Sequence, residues 1–382
     1  MSPATPHGFD LRLTVSGDRI AAVTLSSHRP LLLVRRLEGL PVAEALAMAG
    51  LLLPLCGQAQ TLAATRAVEQ ALGIPVPAPL QAAREWVIAI EQATSHAWRL
   101  ALDWPDRVGL PRELAALGRI RQSAQQAVAA LGGARLLHPG CPALAPERSV
   151  LTELIDQIAV DLDALALGAD ALVDDLDALE AWIECSATVP ARLLAIARKA
   201  DATHRVRLAH PALGWPDARW FGDRLGCEDR FGLYPDIDGR PAEAAGALPG
   251  DTRLLAAAIA RRGQGAATRV LAQWLAARQW RARATALIDD LREIPAATAD
   301  LYGSGTGTGI AATVRGPVAH HIQIERGIVT RWRTVAPTEW NCHPEGPLVH
   351  ALSGARGDPQ PLAQAWIAAL DPCAPVAVTI ES

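Results

Sequence analysis

The residues of this sequence best suited to chemistry are six cysteines, at positions 56, 141, 185, 227, 342 and 373. Cys373 sits behind an Asp-Pro in LDPCAPVAVTIES, residues 370–382, and reads as half of a thiolate pair, because Val376 stands where a second cysteine would complete it. Cys56 closes the apolar run AEALAMAGLLLPLC and precedes Gly57, which would put a sulfur at a break where backbone approaches a ligand closely. Taken singly, a cysteine after a leucine run is a small core residue before it is a ligand. His320 and His321 are neighbours in an expected strand, so they point to opposite faces and do not chelate one metal together. The cluster GSGTGTG, 303–309, lacks dinucleotide spacing and the Lys-Ser/Thr ending of a phosphate loop, and is expected to be a flexible or close-approach turn. Arg315, beside Gly316, either aims a guanidinium into a cavity or lies at the surface, and its own neighbours leave both open. No Gly-x-Ser-x-Gly elbow supports a hydrolase.

The elements that must position these groups are mainly helical. Residues 10–26 alternate apolar and polar around a Gly-Asp turn and predict a β-hairpin. From 41 onward the period changes to three and four, predicting helices over 41–53, 59–72 and 80–102, with stops at Gly73 and at Trp104-Pro105. Helical patterns continue at 112–131, 150–185, 190–200 and 251–296, and the acidic run in DALVDDLDALEAWIE reads as a solvated helix face. Gly, Pro and Trp accumulate between 201 and 250, which predicts an irregular excursion. Residues 310–336 read as two strands around Glu325-Arg326-Gly327, followed by a turn-rich stretch, a short helix at 360–370 and a tail. The expected fold is mainly α with small β-sheets from both chain ends (α+β): one domain over 1–382, with an N-terminal β-hairpin region to 40, a helical core over 41–300, and a β-hairpin and C-terminal cysteine-bearing tail over 301–382.

Composition narrows the function classes. Half of the 382 residues are hydrophobic and 20% are charged, enough for a large core and too apolar for a disordered chain. A net charge of −4 with dispersed arginines offers no broad basic face, so nucleic acid is not an expected partner. The longest apolar stretch, 43–56, is interrupted by Glu44 and Pro54 and is too short to span a bilayer, and the N-terminal residues carry no signal-peptide pattern. Scattered cysteines without a signal make a reducing cytoplasm the expected compartment.

Read together and in order, SSHRP, LEGLP, LCGQAQTLAATRAVEQALGI and SHAWRLALDWPD near the front, and TVRGPVAHHIQIERG, VAPTEWN and DPC near the end, carry a further signal. They resemble the large subunit of nickel-iron hydrogenases, and within that group the maturation proteins of the HupK/HoxV type. The resemblance covers about 10–110 and 300–382. It implies a large-subunit-like helical bundle. It also implies that Cys56 and Cys373 match one cysteine of each Cys-x-x-Cys pair, while Leu53 and Val376 replace the other two. Gln60 replaces a histidine, Thr379 the final histidine, and Val34 the proton-transfer glutamate.

With half the ligand set gone, the resemblance implies a protein that holds no nickel and turns over no hydrogen, and no catalytic residue is expected. It implies instead a cytoplasmic scaffold that carries the Fe(CN)2(CO) unit between the general maturation machinery and an apo hydrogenase large subunit. Cys56 and Cys373 would ligate the iron, Arg315 and Thr338 would donate to cyanide, and Val314 would present apolar surface to the diatomics. His96, Gln60 and Cys342 are expected around this site, and Cys141, Cys185 and Cys227 are expected as core thiols. The chain's end three residues after Thr379 matches a protein with no tail to cleave. Two other readings stay open: a divergent catalytic large subunit, and a metal-free chaperone that binds hydrogenase subunits or maturation factors.

Overall fold

A computed structural model describes residues 8–30, 32–140, 143–168, 173–203, 212–246 and 251–382. The N-terminal alternation produces the antiparallel pair β1 (Phe9–Ser16) and β2 (Arg19–Ser27). Helices α1 (Val42–Leu52), α2 (Gly57–Leu72) and α3 (Ala78–Trp98) follow. As expected, α2 stops at Gly73, whose left-handed backbone (φ 65°) is conformationally cheap for glycine. The expected helix over 150–185 is two, Arg148–Leu167 and Leu176–Cys185, and 251–296 holds three, Arg253–Arg262, Ala266–Arg278 and Trp280–Ile288. The excursion between 201 and 250 contains the helix Ala218–Cys227.

The rear of the chain forms β3 (Gly305–Thr313), β4 (Gly316–Glu325) and β5 (Ile328–Val335) as one antiparallel sheet in that order. The glycine cluster is thus the start of a strand and not a turn. Its other expected property, close backbone approach, is where the glycines matter. A Cβ on Gly305, Gly307 or Gly309 would stand 1.9, 2.1 or 2.0 Å from the carbonyl oxygens of Ala71, Ala67 and Ala63, so alternate strand positions must be bare for α2 to lie on the sheet. The Gly-x-Gly-x-Gly period of two was the available sign of this.

The last strand, β6 (Val376–Glu381), pairs in parallel with β1 in a sheet of order β2-β1-β6, with Phe9 opposite Val376 and Leu13 opposite Ile380. The two chain ends therefore share one sheet. This docking brings Cys373, three residues before β6, back to the front half of the molecule. Seven tryptophans, among them Trp86, Trp332 and Trp340, are nearly fully buried. Among the described residues no single helix is long and apolar enough to cross a membrane; α1 and α2 pass together by composition but are bent by 92°.

Candidate functional site

Cys56 stands at the N-terminal end of α2, after a tight turn Pro54–Cys56 that breaks the helical path. Pro54 forces the break, and Gly57 permits it: a Cβ there would lie 2.8 Å from the Gly50 carbonyl oxygen, so the close approach is between α1 and α2. The helix N-terminus favours negative charge on the sulfur. The Gln60 amide donates to Cys56 Sγ at 3.5 Å. Burial nevertheless pushes the Cys56 thiol up to about 12, with Glu91 and Cys373 adding to the effect.

Glu91, on α3, accepts from the backbone N–H groups of Gln58 and Ala59 at 2.7 and 3.0 Å, capping the same helix end from outside. Burial raises its carboxyl to about 7, against those two bonds. A raised acid binds its proton more tightly folded than unfolded. Glu91 therefore makes stability fall as pH climbs from its ordinary 4.5 through about 7. Glu91→Gln, which keeps an acceptor at this position, is expected to flatten that part of the profile when urea midpoints are measured at intervals of pH. An unchanged slope would contradict the assignment.

Cys373 lies between the helix Pro359–Leu370 and β6. Thr338, in the first turn of the short helix Pro337–Asn341, holds it twice: its Oγ1 accepts from the Cys373 backbone N–H at 3.1 Å and donates to Sγ at 3.0 Å. The Thr338 hydroxyl, expected to face cyanide, is thus aimed at the sulfur.

Arg315 occupies the two-residue turn between β3 and β4 and is buried. Its Nε donates to the Asp371 backbone oxygen at 2.8 Å and pairs with Asp371 Oδ2 at 3.0 Å, and Arg99 donates to the same carboxylate. Burial works against the Arg315 charge, but Asp371, Cys373 and Cys56 outweigh it and hold the guanidinium above its ordinary value. Asp371 has the reverse balance: burial disfavours its charge, and Arg315 and Arg99 bring it below the usual carboxylate range.

Cys56, Cys373, Arg315, Thr338 and Gln60 line one cavity of about 480 Å3. Its remaining wall is largely apolar, including Val34, Leu53, Leu55 and Ala374. Sequence reasoning missed Arg29, which enters the same cavity and donates to Glu339. Burial opposes the Arg29 charge, while Glu339, Cys373 and Cys342 together raise it above the ordinary value. Arg29 lay inside the quoted SSHRP, but nothing in the sequence pairs it with Glu339.

Other expected residues lie elsewhere. Val314 lines a second, smaller cavity of about 90 Å3 behind Arg315, together with His96 and Gln92, and is not among the residues lining the cysteine cavity. His96 is buried there, 3.3 Å from Arg99, and its basicity is lowered by burial and by the arginines Arg99, Arg315 and Arg283. Cys342 is buried just after the Thr338 helix, and burial and the nearby Cys373 push its thiol up; it does not line the cysteine cavity. Cys185 and Cys227 are not core thiols: each is the last residue of its helix, Leu176–Cys185 and Ala218–Cys227, and both are exposed. Cys141 lies outside the described residues. His320 and His321 do face opposite ways, His320 to Gln60 and Trp332, His321 to Thr308.

Among the described residues no group of three or more His, Cys, Asp or Glu side chains could hold a metal. Two sulfurs alone suit a metal that brings most of its own ligands, and the Arg315 guanidinium and apolar walls suit small ligands that carry partial negative charge at their outer ends.

No family model matches the chain. It is 31% identical to the hydrogenase expression/formation protein HupK of Azotobacter vinelandii, over 94% of this chain and 95% of that one. It is 30% identical to the hydrogenase expression/formation protein HupV of Azotobacter chroococcum, again over 94% and 95%. Its fold is similar to that of the nickel-iron-selenium hydrogenase of Desulfovibrio vulgaris Hildenborough, with a TM-score of 0.66 and 15% identity, covering 94% of this chain and 95% of that chain.

Proposed function

The chain belongs to the HupK family of hydrogenase expression/formation proteins, and from that premise we propose that it is a non-catalytic carrier of the Fe(CN)2(CO) unit. The unit is received from the maturation machinery, held between Cys56 and Cys373, and passed to an apo hydrogenase large subunit. A cytoplasmic setting, where thiols stay reduced, suits this work.

The observation that carries the reading is that cysteines 317 positions apart (373 minus 56) line one cavity together with Arg315, the Cys56 sulfur accepting from Gln60 and the Cys373 sulfur from Thr338. Ferrous iron with two cyanides and one carbonyl is neutral, so two thiolates make the bound unit a dianion. Arg315 and Arg29 supply positive charge to that cavity, each partly offset by a carboxylate. Thr338 secures the Cys373 sulfur, and Leu53, which by the resemblance replaces a further cysteine, gives the cavity an apolar wall where that sulfur would have been. A site with two thiolates in place of four supports transfer over permanent storage.

Infrared absorption tests this. The chain produced together with the maturation machinery is expected to show two cyanide bands and one carbonyl band, absent from chain produced without it. A chaperone that binds subunits without metal would show no such bands in either sample, and stoichiometric nickel with hydrogen uptake would establish a catalytic subunit.

A further inference from the structure

Cys56 is held from the sheet side by hydrogen bonds whose direction is set by their first member. The Trp332 indole N–H can only donate, and it points at His320 Nδ1 at 2.8 Å. That nitrogen is therefore the lone-pair nitrogen, and the proton of the neutral ring is on Nε2. His320 Nε2 lies 2.6 Å from Gln60 Oε1 and donates to it, which turns the Gln60 amide N–H toward Cys56 Sγ. All three side chains are buried, and Trp332 and His320 are fully enclosed. Burial lowers His320 to about 3, so the ring stays neutral at physiological pH. The partner of Cys373 differs in kind: the Thr338 hydroxyl rotates and can donate or accept, whereas Gln60 held this way can only donate.

We propose that Trp332 and His320 are positioning residues that fix the direction of the Gln60 amide, so that an N–H is permanently presented to the Cys56 sulfur. This deepens the carrier reading and rests on it for the sulfur's role as an iron ligand. The effect reaches the sulfur from Trp332 through two intermediate side chains. Without the indole N–H, His320 can take its other tautomer and accept from Gln60, leaving the Gln60 oxygen against the sulfur.

Trp332→Phe and Gln60→Leu are the test variants. Val329→Ala, which loosens the same cluster of α1, α2 and sheet residues without touching the hydrogen bonds, is the control. In the empty chain, alkylation of Cys56 by iodoacetamide is measured relative to Cys373 in the same sample. Loss of the donor disfavours the reactive thiolate, so the ratio is expected to fall about three- to tenfold in both test variants. A purely structural role for Trp332 predicts the opposite sign, because loosened packing admits the reagent. In the loaded chain the carbonyl stretch is expected to move to lower wavenumber, because a sulfur without its N–H donor gives more electron density to iron. A ratio unchanged or raised in both test variants overturns the inference. If the wild-type chain takes up no diatomic-bearing iron, the carrier reading fails, while the alkylation ratio still decides whether the Gln60 amide is directed as described.

Discussion

Cys373→Ser and Cys56→Ser are each expected to lower retention of the diatomic-bearing iron by more than about 100-fold, a loss larger than that typical of changes around a metal's ligands. A serine hydroxyl stays protonated at neutral pH and is a hard donor, whereas low-spin iron with strong diatomic ligands selects soft thiolate. One remaining sulfur does not hold the unit, so the double variant is expected to be no worse than either single one. The local fold should survive each change. Thr338 Oγ1 still accepts from the backbone N–H of residue 373, and Gln60 can donate to an oxygen at 56 as to a sulfur. Cys185→Ser provides the contrast: exposed at a helix end, it should leave stability within about 0.5 kcal/mol and iron content unchanged. Iron per chain and diatomic band intensity check all four proteins. Full bands in Cys373→Ser would contradict the assignment.

Asp371→Asn is expected to cost about 3–5 kcal/mol of stability, as removal of one partner from a buried ion pair does. Asp371 takes a left-handed backbone at the end of the helix Pro359–Leu370, which turns its carboxylate to Arg315 and Arg99. With an amide there, two buried guanidiniums lose their counter-charge, although Arg315 keeps its bond to the residue 371 backbone oxygen. The pH behaviour has the opposite sign to that of Glu91. Asp371 is depressed when folded, so its contribution is fully present well above 3.8 and is lost as pH falls below that value through the lower folded one. Urea midpoints of both proteins at neutral and acid pH should converge as the wild type loses this contribution. A neutral-pH difference below about 1 kcal/mol would show that the Asp371 carboxylate does not hold Arg315 and Arg99 in the way described.

Periodicity located most helices to within a few residues, because apolar side chains at three- and four-residue spacing must face a core. It did not resolve the helix end at Gly168 or the breaks between the rear helices, where short connections interrupt an otherwise continuous helical pattern. Nor did it recognise that bare strand positions at 305, 307 and 309 serve a helix packed on them. The two cysteines of the cavity, Arg315 and Thr338 were legible only through the order of several blocks, since each residue alone is ordinary. What could not be read were partners chosen by folding. Arg29 meets Glu339, Arg315 meets Asp371, and His320, set aside as a chelator, links Trp332 to Gln60. No local pattern encodes such contacts, because each joins side chains from separate elements that only the folded chain brings together.

Iron-edge X-ray absorption on the loaded chain tests the central claim most directly. Two sulfurs per iron at about 2.3 Å, the usual first-row metal–thiolate length, together with short carbon scatterers from the diatomics, are the predicted result. An iron shell of oxygen and nitrogen alone, or the same two-sulfur signal persisting in Cys56→Ser, would contradict it.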